Sequence, residues 1–283
     1  MADGFTPPAV VVGVDGSRAA TRAALWAIDE AVSRDMPLRL ITAVGTDGTD
    51  RVAATAAARS VADSVRAADP AVRVDIDVVA GTPVDALVEA SRTAAMVCVG
   101  AVGIHHFDHD RVGSTAAALA AGAHCPVAIV RGPVRGTVRG PVRPAPDRPG
   151  WVVAALDPTP DSAAVLQFAV GEARLRAAPL RVLGAWQSHG PDATPAPEGS
   201  SLVHAQLDRR LAQWRHRYPD LDVAPVTVHG TLLGYLAGNA AAVQLVVVGS
   251  GNAQAVGELL GPAGLTGLDG DCSVVVVDPQ RLL

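Results

Sequence analysis

Lysine is absent: all 23 cationic side chains of this 283-residue chain are arginine. That excludes a Walker-A loop, which sets a lysine ammonium on its phosphates. It also excludes the protein-kinase arrangement with its strand lysine, and Schiff-base chemistry on a lysine amine. A phosphate bound here must be met by backbone N–H groups, helix N-termini, hydroxyls, arginine or a metal ion. Aromatic residues are scarce, at 3% against 49% hydrophobic residues overall, so the core is one of alanine, valine and leucine. Three cysteines, odd in number and far apart, make no disulfide framework and fit free thiols in a reducing compartment. The chain does not open on a basic stretch followed by an apolar one. Its aliphatic runs reach about six residues, far short of the ~20 that span a bilayer. A net charge of −5 gives no general attraction to nucleic acid or to an anionic membrane. The expectation is a cytoplasmic globular protein with neither of those partners.

What is present is internal repetition. Val10 to Asp15 (VVVGVD) reads like Val152 to Asp157 (VVAALD), 142 residues later. Arg34 to Val44 (RDMPLRLITAV) matches Arg176 to Trp186 (RAAPLRVLGAW) at the same spacing. Gly81-Thr82 matches Gly230-Thr231, and VCVG ending at Gly100 matches VVVG ending at Gly249, both 149 apart. Cys125 and Cys272 then lead matched aliphatic runs 147 apart. The second copy therefore gains seven residues after its second strand, in the Pro- and Gly-rich QSHGPDATPAPEGS, and loses two between Gly249 and Cys272.

Each copy has one order of elements. In the first, a β-branched run at 10–15 precedes an alanine-rich helix at 18–34, with Leu25, Ile28 and Val32 at helical spacing. LRLITAV, a helix at 51–68 and the alternating VRVDIDVVA of an edge strand follow. Thr82-Pro83 opens another helix, with proline in the first turn where its missing N–H costs little. MVCVG, a helix beginning at Gly113-Ser114-Thr115 and VAIV complete five strands and four helices. Strands alternating with helices of this length predict an α/β fold, a parallel sheet covered on both faces, with Rossmann-like strand order 3-2-1-4-5. Two such domains are expected, at 1–131 and 150–283. Between them, 132–149 is a Pro/Gly/Arg-rich linker carrying Arg135, Arg139, Arg143 and Arg148 against one acid, Asp147, read as a spacer or as an anion-docking strip.

In an open parallel sheet, ligands bind beyond the carboxyl ends of the strands where the strand order reverses, here between strands 1 and 4. Strand 1 ends in Gly13-Val14-Asp15-Gly16-Ser17 and strand 4 in Gly100-Ala101-Val102-Gly103. The helix opening at Gly113-Ser114-Thr115 presents first-turn N–H groups to the same crevice. Asp15 suits hydrogen bonds from a base or ribose, since a carboxylate cannot hold a phosphate without a cation between them.

The spacing Gly100-x2-Gly103-x9-Gly113-Ser114, with the opening VVVGVDGS and the lead-in HCPVAIV, resembles the ATP-binding universal stress proteins. The likeness runs over nearly the whole chain, as the tandem type of that family and of the wider adenine nucleotide α-hydrolase-like fold. It implies ATP, with Mg2+, held without a P-loop. By position, Gly13 and Asp15 would border the adenosine and Ala43 would meet the base through its backbone. Gly100 would lie near the ribose, while Gly103, Gly113, Ser114 and Thr115 would cradle the phosphates, with Arg111 as a possible counter-charge. Tight-turn geometry for the glycines, and an N-cap role for Ser114, are the plainer accounts. The resemblance further implies a homodimer and pairing of the two copies within one chain.

The second copy departs from the pattern. Asp157 is kept, but Pro158-Thr159 replaces Gly16-Ser17, Asn252 aligns with Gly103, and Gly261-Pro262 replaces Gly113-Ser114. Proline lacks the N–H and hydroxyl a cradle needs, so weak or absent ATP binding is expected there unless Gly264 or Gly267 substitutes. His105, His106, Asp108, His109 and Asp110 form either a polar loop over the crevice or a metal site. Cys125 and Cys272 read as buried apolar residues. With no nucleophile–base pair in view, the expected function is ATP binding as a regulatory ligand and not an enzyme activity. A nucleotide-free scaffold, a slow ATPase or autokinase, and a transferase or hydrolase of the wider fold are the other readings.

Overall fold

The computed structural model describes residues 7–45, 50–102, 112–131, 150–156, 162–186, 197–260, 264 and 272–278. They fall into two compact units, divided between the fifth and sixth strands. The segment 132–149, expected to be a linker, lies outside the described residues.

The first unit runs β1 (Val10–Gly13), α1 (Arg18–Ser33), β2 (Leu38–Val44), α2 (Arg51–Ala68), β3 (Val74–Ala80), α3 (Pro83–Ala90), β4 (Met96–Gly100), α4 (Ser114–Gly122), β5 (Val127–Val130). Its strands lie in the order β3-β2-β1-β4-β5. They are parallel, with Val10 opposite both Leu38 and Met96, and Val97 opposite Val127. β1, β4 and β5 are aliphatic and buried almost throughout, as helices on both faces require. β3 at the edge is half-exposed along its length, as its alternating sequence predicts.

The second unit repeats the plan with β6 (Trp151–Leu156), α5 (Ser162–Leu175), β7 (Leu180–Trp186), α6 (Pro197–Arg217), β8 (Val223–His229), α7 (Leu232–Gly238), β9 (Val243–Gly249), α8 (Ala253–Leu260) and β10 (Ser273–Val277). Its order β8-β7-β6-β9-β10, again parallel, is the same 3-2-1-4-5 in the unit's own terms. The matched glycines Gly81 and Gly230 have φ of 128° and 113°, a backbone that side chains other than hydrogen rarely allow. Each sets a threonine N-cap behind it: Thr82 Oγ1 accepts from Asp85 N–H at 3.1 Å, and Thr231 Oγ1 from Gly234 N–H at 3.1 Å. Pro83 stands in the first turn, where the sequence puts it.

The buried face of α1 keeps Ile28 of the three larger side chains at helical spacing and corrects the expectation for Val32. Val32 is 55% exposed and Leu25 half-buried, whereas Ala19, Ala20, Ala23, Ala24, Ala27, Ile28 and Ala31 face the core. Alanines let the helix axis come close to the sheet, so the stripe of small residues wins the inner face. A Cβ on Gly100 would lie 2.6 Å from Ala19 Cβ and 2.7 Å from the Ala19 carbonyl carbon. The shortage of aromatics thus has a structural counterpart: thin layers, closely stacked.

Candidate functional site

The carboxyl ends of β1 and β4 define the crevice of the first unit. Past Gly13 the chain stays tied to β2 through the Val14 N–H, which donates to the Ile41 carbonyl at 2.8 Å. It then turns into α1, where Ser17 is the N-cap and its Oγ accepts from Ala20 N–H at 3.0 Å. Exposed Asp15 steadies that turn, its Oδ1 accepting from Ser17 N–H at 2.9 Å. The residue expected to border an adenosine is thereby held at the mouth, beside the α1 N-terminus.

Strand parity places Ala43. Ile41 presents its carbonyl to β1, while Leu38 and Val44 bond toward the β3 side. Backbone groups alternate along a strand, so Ala43 turns its amide and carbonyl to the β1 side, beyond the last paired residue, Gly13. The half-buried Ala43 backbone therefore borders the crevice.

On the β4 side, Ala101 N–H donates to the Val130 carbonyl at 3.0 Å and its own carbonyl accepts from Gly113 N–H at 2.8 Å. That second bond fastens the start of α4 over the end of β4. It makes Gly113 the N-cap and Ser114 the first helical residue, which corrects the N-cap reading of Ser114; no side chain caps the helix. The Gly113 amide is consumed in this bond, which leaves the amides of Ser114, Thr115 and Ala116 as the first-turn N–H groups of the helix. The first bond within the helix runs from Ala117 N–H to the Gly113 carbonyl, and those three amides meet no acceptor among the described residues. Ser114 is exposed and Thr115 half-exposed, each with a hydroxyl at the helix start.

Two of the glycines have packing reasons of their own. Gly100 is required by the approach of Ala19 described above. A Cβ on Gly13 would come within 2.8 Å of Leu87 Cδ1 and 3.1 Å of a Val99 methyl. Gly103, Arg111 and the His105–Asp110 run lie outside the described residues, as do Asp157, Pro158 and Thr159 of the second copy. Among the described residues no group of three or more His, Cys, Asp or Glu is placed to hold a metal. Cys125 and Cys272, 4% and 1% exposed, are buried as expected, and burial pushes the Cys125 thiol up to about 12. No helix among the described residues is long and apolar enough to cross a membrane.

In the second unit Asn252 begins a helix. Asn252, matched in sequence with Gly103, is instead the residue that opens α8: its Oδ1 accepts from Ala255 N–H at 3.0 Å, and Asn252 O accepts from Val256 N–H at 3.0 Å. α8 packs on α7 as α4 packs on α3. The signal was legible, since an asparagine ahead of an alanine-rich run is an N-cap pattern. Gly264, offered as a substitute cradle glycine, lies against the carbonyls of Glu258 and Leu259 at the far end of α8, where a Cβ would come within 2.4 Å of either oxygen. Gly261, Pro262 and Gly267 lie outside the described residues. A residue not anticipated from sequence, Glu258 of α8, reaches the N-terminus of α7, its Oε2 accepting from Leu233 N–H at 3.3 Å.

Two parallel α/β units, one with a helix N-terminus fastened over the switch point of its sheet, define the class as a Rossmann-like α/β fold. Residues 8–131 match the model of the universal stress protein family. The whole chain is 43% identical to the universal stress protein Rv2028c of Mycobacterium tuberculosis strain H37Rv, over 100% of both chains. It is 40% identical to Rv2624c of the same organism, over 96% of this chain and 97% of that one. In fold it is similar to the crystal structure of a universal stress protein from Archaeoglobus fulgidus DSM 4304, with a TM-score of 0.65, 16% identity, and 95% and 96% of the two chains covered. The chain belongs to the universal stress protein family, in its tandem form.

Proposed function

We propose that this universal stress protein binds ATP in its first unit as a regulatory ligand. The observation that carries the reading is the Gly113–Ala101 hydrogen bond, which sets the first turn of α4 beside the Asp15 turn at the switch point. The amides and hydroxyls of Ser114 and Thr115 would receive phosphate oxygens on the positive end of the helix dipole. The Ala43 backbone and Asp15 would receive the base and ribose. In a chain without lysine, Mg2+ and the helix N-terminus meet the triphosphate charge. A homodimer, pairing of the copies and a cytoplasmic location belong to the same reading.

The test releases nucleotide from purified protein by denaturation, identifies it by chromatography and follows with ATP titration. Wild type is expected to carry or bind adenine nucleotide. Ser114→Pro keeps a residue suited to the first helical position while deleting the amide and hydroxyl. It and Asp15→Ala are expected to weaken binding at least about tenfold, the worth of a charge-assisted hydrogen bond. Wild type that neither carries nor binds adenine nucleotide at millimolar ATP sinks the proposal. Sustained multiple turnover would replace it with an enzyme.

For the second unit the reading is weak or absent nucleotide binding. Its strand-end cavity, about 90 Å³, is below the few hundred that a nucleotide-sized ligand fills, and Glu258 puts a carboxylate on its wall.

A further inference from the structure

Arg174 stands near the end of α5 with its guanidinium carbon 4.1 Å from the centre of the Tyr218 ring. Arg217, the last residue of α6, lies 5.4 Å from the same centre. The two charges are therefore within about 10 Å of each other, roughly a Debye length at 0.1 M salt. Both arginines are exposed, and among the described residues neither has a hydrogen-bond acceptor or a carboxylate partner. Asp220, two residues past Tyr218, is exposed and pairs with neither, while Asp208 and Asp222 are engaged by Arg215 and Arg181. Half-buried Trp214 adds a second ring, stacked on Tyr218 at 6.2 Å with 14° between the planes. The first unit shows that the fold does not require this group. At spacings of 142 and 149 residues, Val32, Val65, Ala68 and Asp69 stand where Arg174, Trp214, Arg217 and Tyr218 do. Hydrogen bonds repeat at these positions: Arg66 and Arg215 donate to the carbonyls of Val74 and Val223, and the Asp69 and Tyr218 N–H groups donate to those of Val65 and Trp214. A cation in the last turn suits the helix dipole, which accounts for an arginine on each helix. It does not account for the two rings, or for a tyrosine in place of an acid.

We propose that this face of α5 and α6 is a docking surface for an acidic protein segment, one that sets carboxylates beside an aromatic side chain. The inference goes beyond the nucleotide reading and concerns the other unit, so either can fail alone. Tryptophan, tyrosine and arginine are the residues that dominate the energetics of protein interfaces. A guanidinium receives a carboxylate through two parallel hydrogen bonds, and an incoming carboxylate offsets the repulsion between Arg174 and Arg217. The rings of Trp214 and Tyr218 offer apolar area to the side chain beside it. A nucleic acid fits less well. Its phosphate backbone needs a track of cations, whereas this group has two on a chain of net charge −5.

Two acetylated, amidated peptides of one pattern, Glu-Glu-Phe-Glu-Glu-Phe and Gln-Gln-Phe-Gln-Gln-Phe, test this on the full-length chain. Both are titrated by ligand-observed NMR at equal ionic strength, with oligothymidylate as a third probe. The glutamate peptide is expected to bind at least about fivefold tighter than the glutamine peptide, and tighter than oligothymidylate. Arg174→Val combined with Arg217→Ala takes the residues of the first unit and is expected to bring the glutamate peptide down to the level of the glutamine peptide. Tyr218→Asp returns an acid beside both arginines and is expected to do the same; it is read alone if the double variant does not fold. A glutamate preference below fivefold in wild type, a preference that survives these substitutions, or tighter binding of oligothymidylate overturns the proposal.

Discussion

Glu172 precedes Arg176 by one turn of α5, and its carboxylate, only 2% exposed, is held by that arginine's guanidinium. Glu30 and Arg34 repeat the relationship on α1 at 2.5 Å, with Glu30 fully buried. A carboxylate taken out of water has to be neutralised or strongly hydrogen-bonded. Each copy therefore closes its first helix on the same ion pair. The two arginines differ in exposure, 9% for Arg176 against 26% for Arg34, so solvent can compensate the loss of the second better than the first. Arg176→Ala is expected to lower the unfolding free energy by about 3–5 kcal/mol, as removing one partner of a buried pair does. Arg34→Ala is expected to lower it by less. Urea unfolding of both variants checks the order, and equal losses would mean that exposure does not govern the pair.

Gly100 and Gly13 end neighbouring strands, yet their neighbours differ in how far they can yield. A methyl at 100 meets the backbone of Ala19 at 2.7 Å, while one at 13 meets chiefly the end of the Leu87 side chain at 2.8 Å. Side-chain ends swing aside and backbone does not. Gly100→Ala is expected to destabilise by about 3 kcal/mol, the upper range for overpacking, and Gly13→Ala by about 1 kcal/mol. Chemical denaturation compares them directly. Comparable losses would indicate that α1 moves off the sheet to admit the methyl. Because Gly100→Ala acts on packing, it would report poorly on ligand contact.

Much of the fold was legible because its signals are local and repeated. The aliphatic runs of β1 and β4 have only one way to be buried on both faces, and Gly81-Thr82-Pro83 spells out a turn and a capped helix start. The matched segments at 142 and 149 residues gave the second unit from the first. What sequence misplaced were choices between residues of similar standing. Val32 outranks alanine in hydropathy but not in the closeness it allows, so of Leu25, Ile28 and Val32 only Ile28 is buried while the alanines fill the inner face of α1. In the second unit Asn252, aligned with Gly103, opens α8, a cap that glycine spacing alone does not reveal. At the candidate site, Asp15, Gly100, Gly113 and Ser114 lie where the sequence order put them, at or after the ends of strands 1 and 4. That Gly113 spends its amide on Ala101 could not be read, since it depends on how far the helix start folds back over β4. Glu258 was illegible for the same reason: nothing local links it to Leu233, 25 residues earlier.

Ala177 follows Arg176 with φ of 47°, and Asp35 follows Arg34 with φ of 51°. For a residue with a Cβ the left-handed region costs about 1–2 kcal/mol, while glycine enters it freely and loses some of that gain to its looser unfolded chain. Ala177 is exposed, so deleting its methyl sacrifices little packing. Ala177→Gly is therefore expected to stabilise the protein by about 0.5–1 kcal/mol. Asp35→Gly should gain less, because aspartate tolerates this conformation better than alanine. Thermal melting settles the sign. A lower melting temperature for Ala177→Gly would show that the unfolded-chain term exceeds the strain relieved.

Arg181 of β7 donates from Nη2 to the Asp222 carboxylate at 2.9 Å and lies 5.3 Å from the centre of the Trp151 ring. The hydrogen bond from Arg181 holds the Asp222 carboxyl below its ordinary 3.8, with burial pulling the other way and the Arg181 charge adding to the lowering. A depressed folded pKa means that the native state favours the ionised acid. The contribution is therefore complete above the unfolded value and is lost as pH falls through 3.8 to the lower folded value. Asp222 is 61% exposed, so screening keeps the effect within about 1 kcal/mol. Asp222→Asn is expected to unfold at lower urea than wild type at pH 6, with the gap closing as pH drops below about 4, the ordinary carboxylate range. Arg181→Ala removes the contact with Trp151 as well, so part of its deficit should persist in acid. A gap for Asp222→Asn that is unchanged at low pH would place the aspartate's effect in packing and not in its charge.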